Sequence, residues 1–221
     1  MRPCAYIVIA LALCLAPAAA APHVPARVAP VEFHLAQNAQ PRTVVLGQNE
    51  VRGERIATDS AGLLQVLFAD GTTLALGPNS EVVVDSFTFD PAAGTARLQA
   101  TLTRGVFRFI GGRTTRTPDG VALATPFGTL AIDNAGADIS LGQDGQPPHF
   151  DLVFGSGMTL SRGGAVLAEA RRAGYSIVPD SSGASVQKTP AEWRTSLQEQ
   201  LSSRMDGFSF VAAADPSGPP R

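Results

Sequence analysis

The sequence is poor in cysteine, lysine and aromatic residues. Its two cysteines, Cys4 and Cys14, both lie near the start of the 221-residue chain. The remainder of the chain can therefore form no disulfide framework, thiol nucleophile or thiolate metal site. Lys188 is the only lysine, and the formal net charge is −2 without a basic cluster. Nucleic acid is therefore not expected as a partner.

Histidine is also scarce, which restricts catalysis and metal binding. The three histidines, His23, His34 and His149, occur in no spacing typical of a zinc site. Asp133 and Asp138 do not follow the EF-hand order, and we interpret such aspartates as turn residues. The sequence therefore predicts no catalytic residue, no metal and no cofactor.

A hydrolase triad of Ser156, His149 and Asp151 is one alternative. Residues 154–158 read Phe-Gly-Ser-Gly-Met, which lacks the first glycine of the G-x-S-x-G pattern. We interpret the two glycines as a hairpin turn between two strands. The hydrolase hypothesis requires His149 to lie within hydrogen-bond reach of a serine or a carboxylate.

Residues 1–20 have the features of a secretory signal peptide. An apolar run is followed by the small residues Ala18 and Ala20, which predict cleavage after Ala20. The run is too short for a permanent spanning helix. Two alternatives stay open: a retained anchor, and a lipid attached at Cys14, although the preceding Leu13 is not small. The mature protein is expected in the periplasm or secreted, without a stable membrane span.

The rest of the chain predicts one β-rich body between two flexible segments. Residues 21–43 are rich in proline and predict a flexible leader, and residues 206–221 predict a flexible tail. Short apolar segments punctuated by glycine predict an all-β fold of many short antiparallel strands. The strands could form a sandwich, a roll or a solenoid-like stack. We divide the body into a main domain, residues 44–140, and a β-rich extension, residues 141–180.

One amphipathic helix is predicted at residues 189–205. A capping-box pattern, with proline at the first helical position, marks its start. Trp193, Leu197, Leu201 and Met205 recur every four residues and form one apolar stripe. We expect this stripe to pack on the β body. The alternative is that the helix binds a partner protein through Trp193, Leu197 and Leu201.

A modest basic run contains Arg104, Arg108 and Arg113. We expect Arg104 and Arg108 to share one strand face. These arginines could bind a carboxylate, a phosphate or an acidic surface of a partner. Alternatively, they protect a sheet edge from aggregation.

The stretch that organises the chain is residues 65–85. Three apolar runs, at residues 66–68, 74–76 and 82–84, are separated by an Asp-Gly pair and by Gly-Pro-Asn-Ser. Asp-Gly favours a tight hairpin, and Pro-Asn-Ser favours a turn in which polar side chains bond their own backbone. The stretch therefore predicts strand, turn, strand, turn, strand.

This stretch resembles the FecR domain, a bacterial extracytoplasmic β-module. The resemblance rests on residues 58–62, on Phe-x-Asp-Gly-Thr-x-Leu-x-Leu-Gly-x-Asn-Ser at residues 68–80, and more loosely on residues 104–139. We interpret its motif residues as turn-forming: Asp70, Gly71, Thr72, Gly77, Asn79 and Ser80. Where the family has a Gly-Ile-Arg-Gly-Thr turn, residues 131–136 read Ala-Ile-Asp-Asn-Ala-Gly. A role tied to the family's arginine is therefore not carried over.

The resemblance also implies a function. In the best-known members, a FecR domain is the periplasmic part of a membrane-spanning regulator that passes a signal from an outer-membrane transporter to a sigma factor. We expect no anti-sigma region ahead of the apolar segment of this chain, and therefore a stand-alone exported domain. The resemblance implies a non-enzymatic protein-interaction or sensory-accessory module, whose partner is another envelope or secreted protein. The alternatives are an envelope structural or carbohydrate-binding protein, and a hydrolase.

Overall fold

A computed structural model describes residues 32–34, 42–47, 50–60, 62–143, 145–201 and 209–212. The predicted signal peptide and most of the predicted leader and tail lie outside the described residues. Within them are fifteen strands of one sheet, one α-helix and a short 3₁₀ turn at Thr114–Arg116. The strands are β1 (Glu32–His34), β2 (Arg42–Leu46), β3 (Glu50–Ala57), β4 (Leu64–Phe68), β5 (Thr73–Leu76), β6 (Glu81–Asp90), β7 (Thr95–Arg104), β8 (Val106–Ile110), β9 (Val121–Thr125), β10 (Gly128–Ser140), β11 (His149–Arg162), β12 (Ala165–Ala170), β13 (Tyr175–Pro179), β14 (Ala184–Lys188) and β15 (Ser209–Ala212), and the helix is α1 (Ala191–Leu201).

The sheet winds around one apolar core and nearly closes. Its strands follow the order β1-β3-β6-β7-β9-β10-β8-β5-β4-β2-β15, while β11 pairs with β10, β12 and β13, and β14 pairs with β13. Most pairs are antiparallel, but β1–β3, β2–β4, β2–β15 and β7–β9 are parallel. The prediction of an all-β fold with one C-terminal helix is confirmed.

Alternating side chains explain how the strands build this core. In β7, Ala96, Leu98, Ala100 and Leu102 are all buried, while most of the intervening residues are exposed. Because successive side chains of a strand point to opposite faces, this two-residue period turns one face of the sheet inward. The largest fully buried side chains are the phenylalanines Phe68, Phe87, Phe107, Phe109 and Phe150. Each buried ring of this kind contributes about 1.5–3 kcal/mol.

Both turns predicted in the organising stretch are present. Asp70 and Gly71 connect the antiparallel pair β4–β5, and Gly71 has the positive φ of +88° that such a turn favours. Residues 77–80 connect β5 to β6, two strands that do not pair with each other, and Asn79 has φ +53°. The first turn makes a hairpin, whereas the second moves the chain to another part of the sheet.

The predicted hairpin at residues 155–157 is wrong. Strand β11 runs without interruption through these residues, and β10 likewise runs through residues 131–136, where the family has its turn. The glycines allow the two strands to approach closely: a side chain on Gly155 would collide with Asn134, and one on Gly136 with Phe154. The register shifts between Gly136 and Ala137, as in a β-bulge. Glycine here serves close contact between strands, not chain reversal.

Two short strands lie in ranges predicted to be flexible. Strand β1 falls in the predicted leader and pairs with β3, and β15 falls in the predicted tail and pairs with β2. Both pairings are parallel and use backbone groups at the ends of the strand order. Composition does not indicate such pairing, because any sequence without proline can supply backbone hydrogen bonds. The predicted end of the helix, residues 202–205, lies outside the described residues.

Candidate functional site

Asp70 and Thr72, the centre of the sequence motif, form a buried polar cluster with Thr114. The two oxygens of Asp70 accept hydrogen bonds from Thr72 N at 3.0 Å, Thr72 Oγ1 at 2.7 Å and Thr114 N at 2.9 Å. Thr72 Oγ1 also lies 2.8 Å from Thr114 Oγ1 and accepts from Gly112 N at 3.1 Å. These bonds tie the β4–β5 hairpin to the 3₁₀ turn that follows β8. This part of the motif therefore holds the loop after β8 against the β4–β5 hairpin.

Ser80 forms a second buried cluster at the other end of β5. Its Oγ accepts from Val106 N at 2.9 Å and donates to Val106 O at 3.0 Å. Its N donates to Thr58 Oγ1 at 2.9 Å, and that hydroxyl donates to Gly77 O at 2.6 Å. Gly105 has φ +109°, and a side chain there would collide with Ser80. The Asn-Ser end of the motif thus joins the start of β6 to the start of β8.

Helix α1 packs on the sheet, as expected from its apolar stripe. The Trp193 ring stacks on the His149 ring with centroids 4.2 Å apart and an interplanar angle of 21°. Leu197 is buried, and Leu201 is partly buried. Just before the helix, Thr189 Oγ1 lies 2.7 Å from Ser176 Oγ of β13, a buried contact that anchors its start. The predicted partner-binding role of Trp193, Leu197 and Leu201 stays a prediction.

The sheet surface under α1 is unusually polar. Neighbouring strands place Arg108, Asp138, Asp151 and Ser176 directly opposite one another across β8, β10, β11 and β13. His149 lies on the same face as Asp151, two residues earlier in β11. We call these five residues the covered face. Four of them are buried, the exception being Arg108, whose side chain is 26% exposed.

Arg108 and Asp138 form a two-bond ion pair within the covered face. Arg108 Nε donates to Asp138 Oδ1 at 2.7 Å, and Arg108 Nη2 donates to Asp138 Oδ2 at 2.8 Å. The hydrogen bond with Asp138 raises the pKa of Arg108, so the guanidinium stays charged. Arg108 Nη2 also donates to Gln198 Oε1 of α1 at 3.3 Å. Strand β8 lies between β10 and β5, so the hypothesis that Arg108 protects a sheet edge is wrong.

His149 and Asp151 form a second pair of side chains on the covered face, and no hydrogen bond joins them. His149 Nε2 lies 3.8 Å from Asp151 Oδ2, beyond hydrogen-bond length, although both side chains are less than 5% exposed. Neither His149 Nε2 nor either oxygen of Asp151 has a hydrogen-bond partner of acceptable geometry among the described residues. His149 Nδ1 is engaged with Pro147 O at 2.9 Å.

Burial raises the pKa of the Asp151 carboxyl above its ordinary value. The charge of Asp138 acts in the same direction, because two carboxylates repel. The Ser176 hydroxyl and the charges of His149 and Arg194 act in the opposite direction. Desolvation is the largest of these effects, so Asp151 binds a proton more readily than a carboxyl in water.

The other two arginines of the basic run have separate positions. Arg104 is the last residue of β7, and its Nη2 lies 3.1 Å from Glu81 Oε2. The other carboxylate oxygen, Glu81 Oε1, lies 2.8 Å from Arg55 Nη2. Gly105 separates Arg104 from Arg108, which lies on the next strand, so the prediction that they share one strand face is wrong. Arg113 lies over the Phe89 ring at 5.9 Å. A partner-binding role for these arginines stays a prediction.

The proposed hydrolase triad does not assemble. Ser156 follows Asp151 by five residues in one extended strand, a separation of about 17 Å at about 3.3 Å per residue. His149 lies beyond hydrogen-bond reach of the Asp151 carboxylate, and the Ser176 hydroxyl pairs with Thr189. Among the described residues there is also no group of three or more metal-ligating side chains arranged to hold an ion.

Sequence reasoning named His149 and Asp151 for a triad but missed the covered face. The available signal was alternation: His149 and Asp151 interleave with Phe150 and Leu152, so one face of β11 is polar and the other apolar. All four are buried, which requires a cover on the polar face as well. The sequence suggests the polar face but does not show that α1 covers it.

These features define the class: an all-β domain with a winding sheet, whose motif residues hold its turns together. A family model described as "FecR protein" matches residues 54–156 of this chain. The chain therefore contains a FecR domain, as its sequence motif predicts. No curated protein sequence matches the chain.

Two solved structures match part of this chain. Both are crystal structures of a proposed anti-sigma factor from Parabacteroides distasonis ATCC 8503, with 13% and 14% sequence identity and TM-scores of 0.48 and 0.47. In each case the match covers 64% of this chain and 62% of the solved chain. Likeness at this level says nothing about function. Within the described part of the chain, no helix is both long and apolar enough to span a bilayer.

Proposed function

We propose that this chain is a non-enzymatic, extracytoplasmic FecR-domain protein that acts as a protein-interaction or sensory-accessory module of the cell envelope. The observation that carries the proposal is the FecR domain at residues 54–156. Its polar motif residues support the non-enzymatic part, because Asp70, Thr72 and Ser80 are engaged in buried hydrogen bonds that join loops and strands. The signal-peptide features of residues 1–20 support export.

The exposed surface supports contact with another protein. Ile110 and Phe154 flank Gly136 on neighbouring strands and are 39% and 47% exposed, and Val153 beside them is 46% exposed. A group of exposed apolar side chains of this kind is a common feature of protein-binding surfaces. The carbohydrate-binding alternative lacks such support, because Trp193 is engaged with His149.

Crosslinking in the native envelope tests the proposal. A photo-crosslinking residue would replace Phe154 in one variant and, as a matched control, Val186 of β14, which is 44% exposed. We expect the protein in the periplasmic or secreted fraction, and one discrete crosslinked partner from the first position and none from the second. Retention in the cytoplasm would contradict export. Recovery of glycan fragments in place of a protein would favour the carbohydrate-binding alternative.

A further inference from the structure

His149 and Asp151 bury three polar atoms that have no hydrogen-bond partner of good geometry among the described residues. The Ser176 hydroxyl lies near enough to Asp151 to lower the pKa of its carboxyl, but its hydrogen bond of good geometry is to Thr189. Among the described residues, Gln143 Nε2 is the other buried side-chain atom in this condition. A buried polar atom without a partner destabilises a fold, so such atoms are rare unless they have a use. Three of them in one adjacent pair point to a ligand that satisfies the pair jointly.

The chemistry of the two groups identifies that ligand as a proton. His149 Nδ1 faces Pro147 O at 2.9 Å, and a carbonyl oxygen only accepts, so Nδ1 carries the ring proton. The neutral ring then presents a lone pair on Nε2, which faces the Asp151 carboxylate at 3.8 Å. Two acceptors that face each other repel. One proton between them converts the repulsion into a hydrogen bond, whichever atom holds it.

The pair is connected to helix α1 by two contacts. The His149 ring stacks on Trp193 of the helix. The residue opposite Asp151 in the register is Ser176, which pairs with Thr189 just before the helix. A change in the charge or position of His149 and Asp151 therefore acts directly on the surface where the helix rests.

We propose that His149 and Asp151 form a proton-binding site that fastens α1 to the sheet. In the structure the helix is docked with His149 Nε2 and Asp151 Oδ2 3.8 Å apart. One shared proton draws these two atoms into a hydrogen bond and holds the helix more tightly. When the proton leaves, the buried carboxylate and the Nε2 lone pair are left unpaired, and the helix loosens.

The charges around the pair set the direction of the pH dependence. Asp138 from β10 disfavours a charged Asp151, Arg194 of α1 favours it, and Arg108 of β8 is engaged with Asp138. Burial outweighs these charges and raises the pKa of Asp151 above its ordinary value of 3.8. A group whose pKa rises on folding stabilises the fold below its unfolded pKa, and this stabilisation is lost as the pH rises through the folded pKa. Docking is therefore tightest below the ordinary pKa of the carboxyl, 3.8, and weakens as the pH rises through the raised pKa of Asp151.

The single tryptophan of the chain makes the test direct. Because Trp193 is the only tryptophan, its fluorescence reports on α1 alone. We would measure acrylamide quenching of the whole protein from below pH 3.8, the ordinary pKa of the carboxyl, up to alkaline pH. Circular dichroism at each pH verifies the fold. We expect the quenching constant to rise about twofold with increasing pH, in a transition that involves one proton.

Two variants test which groups are responsible. Asp151→Asn keeps the shape of the side chain and can donate to His149 Nε2 at every pH, so its quenching should stay low and lose its pH dependence. Asp133→Asn is the matched control, because Asp133 lies on β10 with its side chain exposed, and it should titrate like the original protein. If Asp151→Asn fails to fold, His149→Gln replaces it and should likewise abolish the transition. Quenching that is independent of pH in the original protein, or unchanged in these variants, would overturn the proposal.

Discussion

Two regions of this molecule bury polar side chains, and they do so in opposite ways. Around Asp70 and Ser80, the motif oxygens accept hydrogen bonds from backbone N–H groups and a hydroxyl, and the Ser80 hydroxyl donates to a backbone carbonyl, all at 2.7–3.0 Å. Under α1, His149 and Asp151 are also buried, but His149 Nε2 and both Asp151 oxygens have no hydrogen-bond partner of good geometry among the described residues. A satisfied polar cluster specifies one arrangement of the chain, whereas an unsatisfied one leaves the arrangement sensitive to proton uptake. The family motif therefore lies in the hydrogen-bonded region, which we call the rigid region. The proposed proton-binding site under α1, which we call the responsive region, lies outside the motif.

The largest effect should come from crowding the rigid region. Replacement of Gly105 by alanine forces a side chain against Ser80 at φ +109°. We expect a loss of about 4 kcal/mol in the free energy of unfolding, from strain at positive φ together with overpacking. Urea denaturation followed by circular dichroism measures it.

Gly163→Ala is the matched control for this substitution. Gly163 also has a positive φ, +58°, but no atom lies near its added side chain. We expect a loss of about 1 kcal/mol, because only the backbone strain remains. Equal losses in the two variants would show that contact with Ser80 has no role.

The next effect should come from removing an acceptor from the same region. Asp70→Ala leaves two N–H groups and one hydroxyl without the carboxylate that they contact. We expect a loss of about 3 kcal/mol in the free energy of unfolding, since buried donors lose a charged partner. Asp90→Ala is the control: Asp90 also accepts from two backbone N–H groups, but it is exposed. Its loss should not exceed about 1 kcal/mol, and a similar value for Asp70→Ala would contradict the comparison.

The rigid region could be predicted from sequence because its signals are local. Asp-Gly and Pro-Asn-Ser favour turns wherever they occur, and the alternation from Ala96 to Leu102 fixes which face of β7 is inward. What these residues bond to was not predictable: Thr114 reaches Asp70 across 44 positions of the chain. No local pattern in a single sequence indicates a contact between residues so far apart.

The wrong predictions have the same physical cause. Glycine between apolar runs serves either a reversal of the chain or close contact with a neighbouring strand. Gly155 serves the second purpose, and only the pairing of β11 with β10 shows it. Likewise, the covered face required knowledge that α1 returns over β8 and β11. The wrong hairpin prediction and the missed covered face therefore both depend on contacts between residues far apart in the sequence.

The smallest effect on global stability should come from the responsive region, and it should be local. Leu197→Ala removes the one fully buried side chain of α1. Because α1 packs on the outer face of the sheet, we expect docking to weaken by about 1 kcal/mol or more, while the urea midpoint of the β body, followed by circular dichroism, stays nearly unchanged. Trp193 quenching should rise at every pH. Thr195→Ala, on the exposed side of the same helix, should leave quenching as it is. A large shift of the body's urea midpoint in Leu197→Ala would show that the helix is part of the rigid region, and the contrast between the two regions would fail.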